Sequence, residues 1–319
     1  AKVRLIFSLS GSPMLGRDRS SECDIAAGFR NRVRWVTVLG MKRLLILLAA
    51  ATLVQAHDPW VLGHRGARAA RPENTMAAFR YAADVGVDVL ELDMVVTSDD
   101  RIVISHDVTV NLEICRLPSG QPKPPVYIRD LTLAELQRFD CGATRNPAYP
   151  EQKTVPGERM PLLDEVFREF KDKTKLQFMI ETKMAPEDSG RAVAPEHFAR
   201  LVYEIIRRHG MQDRVILQSF DHRTLREMKK LDSRIRLCML NPRKHLGDYV
   251  TPAKELGAHY QFINWSVIQP EDVKALHAAG IKVFSGTTDD PQVWKKLIAM
   301  GVDGIVTDNP AGLIQLMNR

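Results

Sequence analysis

Short apolar segments alternate with amphipathic segments from residue 60 to the end of the chain. Short apolar runs are typical of buried strands, and apolar residues that recur every three or four positions are typical of helices packed on them. The predicted strands are 60–63, 87–95, 176–182, 214–220, 234–240, 260–266, 281–287 and 303–308. Helical patterns separate most of these strands, at 74–86, 195–210, 222–231, 270–280 and 291–301.

This alternation, repeated eight times, predicts an α/β fold, a (β/α)8 TIM barrel. The apolar run 101–107 is excluded from the barrel because only four turn residues, 97–100, separate it from the second strand. Parallel neighbours need a crossover of a dozen or more residues, so this run is expected to return antiparallel as a hairpin arm. Residues 108–161 hold eight prolines and one helix-like piece, 131–139. We interpret them as a small Pro-rich insertion, between barrel strands two and three, that caps the barrel mouth.

Residues 1–56 are expected to lie outside the barrel. Met41, Lys42 and Arg43 precede the apolar run LLILLAAATLV and small residues that end at Ala56. This order predicts a secretory signal peptide at 41–56 that is cleaved after Ala56, and hence a periplasmic or secreted protein. A buried helix or a membrane anchor is the alternative, but the run is short for a bilayer span. We interpret residues 1–40 as upstream sequence translated in frame, which leaves 57–319 as the barrel domain.

The charge of the chain is concentrated in that first segment. The net charge is +6, and residues 1–56 carry nine Lys and Arg against three Asp and Glu. Residues 57–319 are therefore balanced, so their charge does not favour nucleic acid or an anionic membrane as a partner, and a small-molecule substrate is expected. In an exported protein Cys115 and Cys141 could form a disulfide, whereas Cys238, in an apolar run, is expected to be a core thiol.

Ionisable residues concentrate where the predicted strands end, which is where TIM barrels carry their active sites. Glu91 and Asp93 are two apart on one strand and therefore point to the same face, and Glu181 ends the next barrel strand. Three carboxylates at one barrel mouth predict a site for one divalent cation, Mg²⁺ or Ca²⁺. The alternative is that these acids pair with Arg65 or Lys183.

His64 ends the first strand and His106 ends the hairpin arm, so both are expected at the same mouth. Two histidines beside a metal suit general acid and general base catalysis, although either could instead be a ligand or a structural group. Arg65 is predicted to bind a phosphate or a carboxylate of the substrate through its forked guanidinium, and Lys183 is predicted to add a point charge beside it. Together these groups favour phosphoryl transfer.

Three further residues are candidates without a settled role. Asn74 is either the N-cap of the first helix or part of the site, and Glu73 is either a metal ligand or a carboxylate behind the ligands. Gln218 ends the fourth strand and is expected to face the same mouth.

The order of the short motifs HRG, PENT, ELD, SHD, ETK, QSF and GIVTDNP resembles the glycerophosphodiester phosphodiesterase family, over roughly residues 60–317. The resemblance implies a metal-dependent TIM-barrel enzyme that releases glycerol 3-phosphate and an alcohol. It implies that His64 and His106 are the acid and base, that Glu91, Asp93 and Glu181 hold the metal, and that Arg65 and Lys183 contact the phosphate.

The chain departs from the family at one position, where many members carry a Trp and this sequence has Gly286. A missing indole is expected to open the mouth on that side. Two alternatives remain: a phospholipase D-like enzyme acting on lysophospholipids or sphingolipids, and a non-enzymatic binder of phosphorylated ligands. The second would be expected to lack a metal carboxylate or a histidine, and this chain has all of them.

Overall fold

The structure, a computed structural model, describes residues 58–185 and 190–319, so the predicted signal peptide and the segment before it lie outside the described residues. The strands are β1 (Trp60–Gly63), β2 (Val89–Val96), β3 (Ile102–Ile104), β4 (Gln177–Thr182), β5 (Val215–Ser219), β6 (Arg236–Met239), β7 (Tyr260–Asn264), β8 (Lys282–Gly286) and β9 (Gly304–Thr307). The α-helices are α1 (Met76–Val85), α2 (Leu133–Leu136), α3 (Leu163–Phe170), α4 (Pro195–His209), α5 (His222–Leu231), α6 (Val250–Leu256), α7 (Pro270–Ala278), α8 (Pro291–Met300) and α9 (Pro310–Leu316). A short 3₁₀ helix covers Ile128–Asp130.

Eight parallel strands form a closed barrel in the order β1-β2-β4-β5-β6-β7-β8-β9. The ring closes where β9 pairs with β1, with Ile305 opposite Val61. β3 lies outside the ring and pairs antiparallel with β2, with Ile104 opposite Met94. The prediction of a TIM barrel is confirmed, and so is the prediction that the run 101–107 is a hairpin arm.

The predicted helices are present, and their ends differ by no more than two residues. The sequence pattern did not indicate α3, α6 or α9, because helices this short show barely two turns of apolar periodicity. No helix within the described ranges is long and apolar enough to cross a membrane.

The interior of the barrel is a layer of buried residues, one from each of the eight strands. They are Leu62, Val89, Met179, Ile216, Cys238, Tyr260, Phe284 and Val306. Alternate side chains of a strand point to the same face, so the residue two positions later points inward at the carboxyl end. Those residues are His64, Glu91, Glu181, Gln218, Leu240, Phe262, Gly286 and Asp308. The barrel thus places the candidate site as one layer directly above its apolar core.

The insertion after β3 has a small apolar core of its own, to which Val95 and Val103 of the hairpin also contribute. A disulfide joins Cys115 to Cys141 in this core, as the sequence allowed, and Cys238 is a buried free thiol. The helix-like piece 131–139 shortens to the four residues of α2.

Candidate active site

A cavity of about 230 Å³ opens at the carboxyl ends of the barrel strands. Seven of the ten predicted site residues line it: His64, Arg65, Glu91, His106, Glu181, Lys183 and Gln218. The other three, Glu73, Asn74 and Asp93, are buried behind this lining and bond to its residues or to one another. The structure therefore brings all ten predicted residues to one place.

The acidic cluster consists of Glu91, Asp93 and Glu181, whose oxygens lie within 4.8 Å of one another. Burial, together with the neighbouring charges of Asp93 and Glu181, raises the pKa of Glu91 well above its usual range. Burial likewise raises the pKa of Glu181 to about 7. Burial acts in the same direction on Asp93, but the positive charges of Lys183 and Arg65 outweigh it and lower the pKa of Asp93. Such crowding is the electrostatic arrangement that a bound cation relieves.

The basic residues of the site also pair with these acids. Lys183 Nζ lies 2.6 Å from Glu181 Oε1 and 3.1 Å from Asp93 Oδ1. The backbone N–H of Arg65 donates to Glu91 Oε2 at 2.9 Å, and its Nη1 donates to Glu73 Oε1 at 2.7 Å. Ion pairing, the alternative to metal binding, is therefore present in the cluster. It would replace a metal only if it neutralised the clustered carboxylates.

The donor set fits one hard divalent cation. The carboxylates in and behind the cavity are Glu73, Glu91, Asp93, Glu181 and Asp308, and the basic side chains among them are Arg65, Arg68 and Lys183. The three basic side chains do not offset the effect of burial on this cluster, because the pKa values of Glu91 and Glu181 stay raised, and a bound divalent cation would favour the ionised forms of both. Two buried amide oxygens, Asn74 Oδ1 and Gln218 Oε1, also have no hydrogen-bond partner among the described residues. Oxygen donors of this kind suit Mg²⁺ or Ca²⁺.

His64 is held by Asp308, a residue for which the sequence motifs predicted no role. His64 Nδ1 lies 2.6 Å from Asp308 Oδ1, which also accepts from Arg68 Nε at 2.7 Å. Burial opposes ionisation of Asp308, but the hydrogen bond and charge of His64 and the charge of Arg68 prevail and lower its pKa. An ionised Asp308 only accepts hydrogen bonds, so the proton of neutral His64 lies on Nδ1 and leaves Nε2 with its lone pair. Burial lowers the pKa of His64, against the effect of Asp308, which favours this neutral form.

His106 follows β3, so the hairpin arm carries the second histidine to the cavity. Its Nδ1 lies 2.8 Å from Asp107 Oδ1. The hydrogen bond from His106 lowers the pKa of Asp107, although burial opposes this. The two histidines therefore share one arrangement, in which an aspartate holds Nδ1 and leaves Nε2 available.

Comparison with known proteins identifies the family of this chain. Residues 64–312 match the model of the glycerophosphoryl diester phosphodiesterase family. A glycerophosphodiester phosphodiesterase of Caldanaerobacter subterraneus subsp. tengcongensis is 32% identical over 262 residues, which are 81% of this chain and 98% of that relative. The chain belongs to the glycerophosphoryl diester phosphodiesterase family. It is a phosphodiesterase that hydrolyses glycerophosphodiesters, in a family that depends on divalent metal, as the motifs predicted.

Two other proteins are similar to this chain over most of its length. A phosphodiesterase of Oleispira antarctica, solved in complex with its product sn-glycerol-3-phosphate, superposes with a TM-score of 0.69 at 24% identity, covering 82% of this chain and 97% of that one. A human lysophospholipase D is 24% identical over 300 residues, which are 81% of this chain and 86% of that relative.

The N-terminus of α1 excludes one of the two roles considered for Asn74 in this phosphodiesterase. Thr75, and not Asn74, is the N-cap of the helix, since its side chain accepts from the Ala78 N–H. Asn74 has a positive φ of 55° and donates Nδ2 to Asp93 Oδ2 at 2.9 Å. Asn74 therefore does not cap the helix and instead hydrogen-bonds to Asp93 of the acidic cluster.

The insertion supplies contacts that the sequence did not reveal. Tyr149 Oη donates to Asp308 Oδ2 at 2.7 Å, and Asn146 Nδ2 donates to Glu73 Oε2 at 3.3 Å. Both residues lie in an irregular Pro-rich segment without periodicity, so nothing in the sequence pointed to them. Asp308 did carry a signal, because it lies two residues after the barrel-core residue Val306 and so shares the layer of His64.

Gly286 does not widen the cavity, contrary to the expectation from its missing side chain. Its φ is +146°, and a Cβ placed on it would lie 2.3 Å from the carbonyl oxygen of Val306. The space beside Gly286 is therefore filled by backbone, and Thr287 lines the cavity next to it.

Proposed function

We propose that this phosphodiesterase cleaves glycerophosphodiesters to glycerol 3-phosphate and an alcohol, with one Mg²⁺ or Ca²⁺ at the acidic cluster and His64 and His106 as base and acid. The observation that carries this proposal is that two histidines, each hydrogen-bonded through Nδ1 to an aspartate, line the cavity that also contains the clustered carboxylates.

Glu91, Asp93 and Glu181 are the residues that would hold the cation. When bound, a divalent cation supplies positive charge that stabilises the developing negative charge of a phosphoryl group. Arg65 and Lys183 line the same cavity and bring two further positive charges to the phosphodiester oxygens. Their ion pairs with the acids fix their positions before substrate arrives, so the charge is preorganised.

His64 is proposed as the general base of the first step. Its neutral form has a free Nε2, which takes the proton of the attacking hydroxyl, the neighbouring hydroxyl of the glycerol. That oxygen forms a bond to phosphorus while the bond from phosphorus to the leaving alcohol breaks. His106 Nε2 gives its proton to the departing oxygen, so the alcohol leaves neutral and a cyclic phosphate remains.

Water then opens the cyclic phosphate with the two histidines in reversed roles. His106 removes a proton from the water as its oxygen bonds to phosphorus, and His64 returns a proton to the glycerol oxygen that departs. Both histidines end in their starting protonation states, so the cycle is balanced in protons.

A second candidate function is hydrolysis of lysophospholipids, as in the human relative's name. Two large apolar side chains stand exposed just after β5 and β7, at the end of the barrel that holds the cavity: Phe220 at 57% and Trp265 at 38% exposure. Such residues could support an acyl chain. The soluble diester ranks first because Phe220 alone of the two lines the cavity.

We also propose that the protein is exported to the periplasm or secreted. The basic start and apolar run of residues 41–56 support it, as does the disulfide between Cys115 and Cys141, because disulfides persist in oxidising compartments.

The test is metal restoration with residues 57–319 expressed as the mature enzyme. The protein is stripped with EDTA, and release of glycerol 3-phosphate from glycerophosphocholine is measured with Mg²⁺ or Ca²⁺ restored separately. Activity that returns with one of these metals identifies the native ion. A folded protein that is inactive on glycerophosphocholine with both metals but active on a lysolipid would favour the second candidate.

A further inference from the structure

We propose that Arg243 forms a binding site for an anionic group on the leaving alcohol, so that the enzyme prefers diesters whose alcohol carries a phosphate or carboxylate. This inference rests on the proposed function, because it assigns the part of the same cavity in which the leaving alcohol lies.

The cavity has two chemically different sides. The histidines and the acidic cluster come from β1, β2, β3 and β4, whereas the facing wall comes from the ends of β6, β7 and β8. β6 and β7 lie halfway around the eight-stranded ring from β1 and β2. A phosphodiester held at the first side therefore directs one of its two alcohols toward the second.

That facing wall is uncharged except for Arg243. Its other members are Leu240, Asn241, Phe262, Asn264 and Thr287. The amide of Asn241 donates to the Phe262 carbonyl, and Asn264 bonds to Gly286 and Ser266. The side-chain amides of Asn241 and Asn264 are occupied by these hydrogen bonds within the protein. Arg243 is therefore the cationic group that this wall offers to a ligand.

Arg243 differs from the other basic residues of the cavity. Arg65, Arg68 and Lys183 each pair with carboxylates. Arg243 has no ion-pair partner within the described ranges, and its side chain is exposed on the loop after β6.

The acids of the adjoining segments are engaged elsewhere. Asp248 accepts hydrogen bonds from the first backbone N–H groups of α6, and Asp272 pairs with His245. An unpaired guanidinium facing a cavity is a ready partner for a phosphate or carboxylate, and it disfavours a quaternary ammonium.

The closing experiment compares three diesters that differ in the charge of the leaving alcohol. They are glycerophosphocholine, whose leaving alcohol is cationic, glycerophosphoglycerol, whose leaving alcohol is neutral, and bis(glycerophospho)glycerol, whose leaving alcohol keeps a phosphodiester anion. We expect kcat/KM of the wild type to be highest for the anionic substrate and lowest for the choline substrate. Arg243→Gln should lower the ratio of anionic to choline kcat/KM about tenfold, the effect of one charge-assisted hydrogen bond.

Lys244→Gln is the matched control, since it removes the same charge from the next residue, which is exposed and does not line the cavity. Its ratio should stay within about twofold of wild type, because exposed charges act weakly through salt. Arg243→Lys should keep part of the preference.

Two outcomes would overturn the inference. One is an equal change of the ratio in Arg243→Gln and Lys244→Gln, and the other is an unchanged ratio in Arg243→Gln. If the wild type with metal hydrolyses all three diesters and either outcome appears, this inference alone fails. If it hydrolyses none of them, the proposed function fails and the inference with it.

Discussion

Replacing Asp308 with Asn tests whether this side chain holds His64 as a base. Asp308 accepts from three donors, with His64 Nδ1 and Arg68 Nε on one oxygen and Tyr149 Oη on the other. Asn has nearly the same shape but only one accepting oxygen. One of the donors must therefore face an NH₂ group or lose its partner.

The expected loss follows from the bond between His64 and Asp308, 2.6 Å long and nearly buried. A hydrogen bond to a charged group contributes about 1.5–3 kcal/mol, which corresponds to roughly 10- to 150-fold in rate. If the new NH₂ faces His64, the proton of the imidazole moves to Nε2 and the base is lost, a loss that approaches about 10⁴-fold. We expect kcat of Asp308→Asn to fall on the order of 10²–10³-fold, with a smaller change in KM.

The pH dependence should change in a defined direction. Burial lowers the pKa of His64, and the hydrogen bond and charge of Asp308 partly offset this. Removing the charge leaves burial unopposed, so the pKa of His64 falls further. Because the neutral form is the base, the acidic limb of the kcat/KM profile should move to lower pH.

The assay is steady-state release of glycerol 3-phosphate across pH with metal in excess, together with thermal unfolding of both proteins to verify that the variant is folded. Tyr149→Phe is the control, since it removes one donor from the second oxygen and leaves the bond to His64 intact. A folded Asp308→Asn enzyme whose kcat stays within about threefold of wild type, with an unmoved acidic limb, would refute the assignment of His64 as an oriented base.

Two further predictions concern stability. The bond between Cys115 and Cys141 spans a sequence separation of 26, so by loop entropy the double Ser variant should lose about 3.5 kcal/mol. Its melting temperature should fall by several degrees; an unchanged value would show that the insertion does not depend on the bond. Gly286→Ala should cost at least about 2–3 kcal/mol in urea unfolding, because its Cβ would meet the Val306 carbonyl at a φ of +146°. Gly280→Ala, with positive φ but open space around it, should cost only about 1 kcal/mol, and equal losses for both would contradict this account.

Much of the barrel could be predicted because it depends on patterns among residues that are close together in the sequence. Alternation of side chains along each strand separates the apolar core from the polar residues above it. The four turn residues 97–100 are too few for a parallel crossover, which identifies the run 101–107 as a hairpin arm. The same period of two places Glu91 and Asp93 on one face of their strand, wherever that strand lies in the fold. Short helices such as α6 were not predicted, because the seven residues of α6 give too little apolar periodicity to recognise a helix.

Contacts between distant parts of the chain depend instead on how the barrel closes. His64 and Asp308 are 244 positions apart and touch because β9 closes the ring beside β1. Tyr149 reaches the same carboxylate from a segment whose path depends on packing of the insertion and not on a repeating pattern. The barrel, its acidic cluster and its two histidines follow from period and order along the chain, so the amino-acid sequence alone predicts them. The protonation state of His64 and the unpaired charge of Arg243 depend on barrel closure and loop packing, which bring together residues that no local pattern connects.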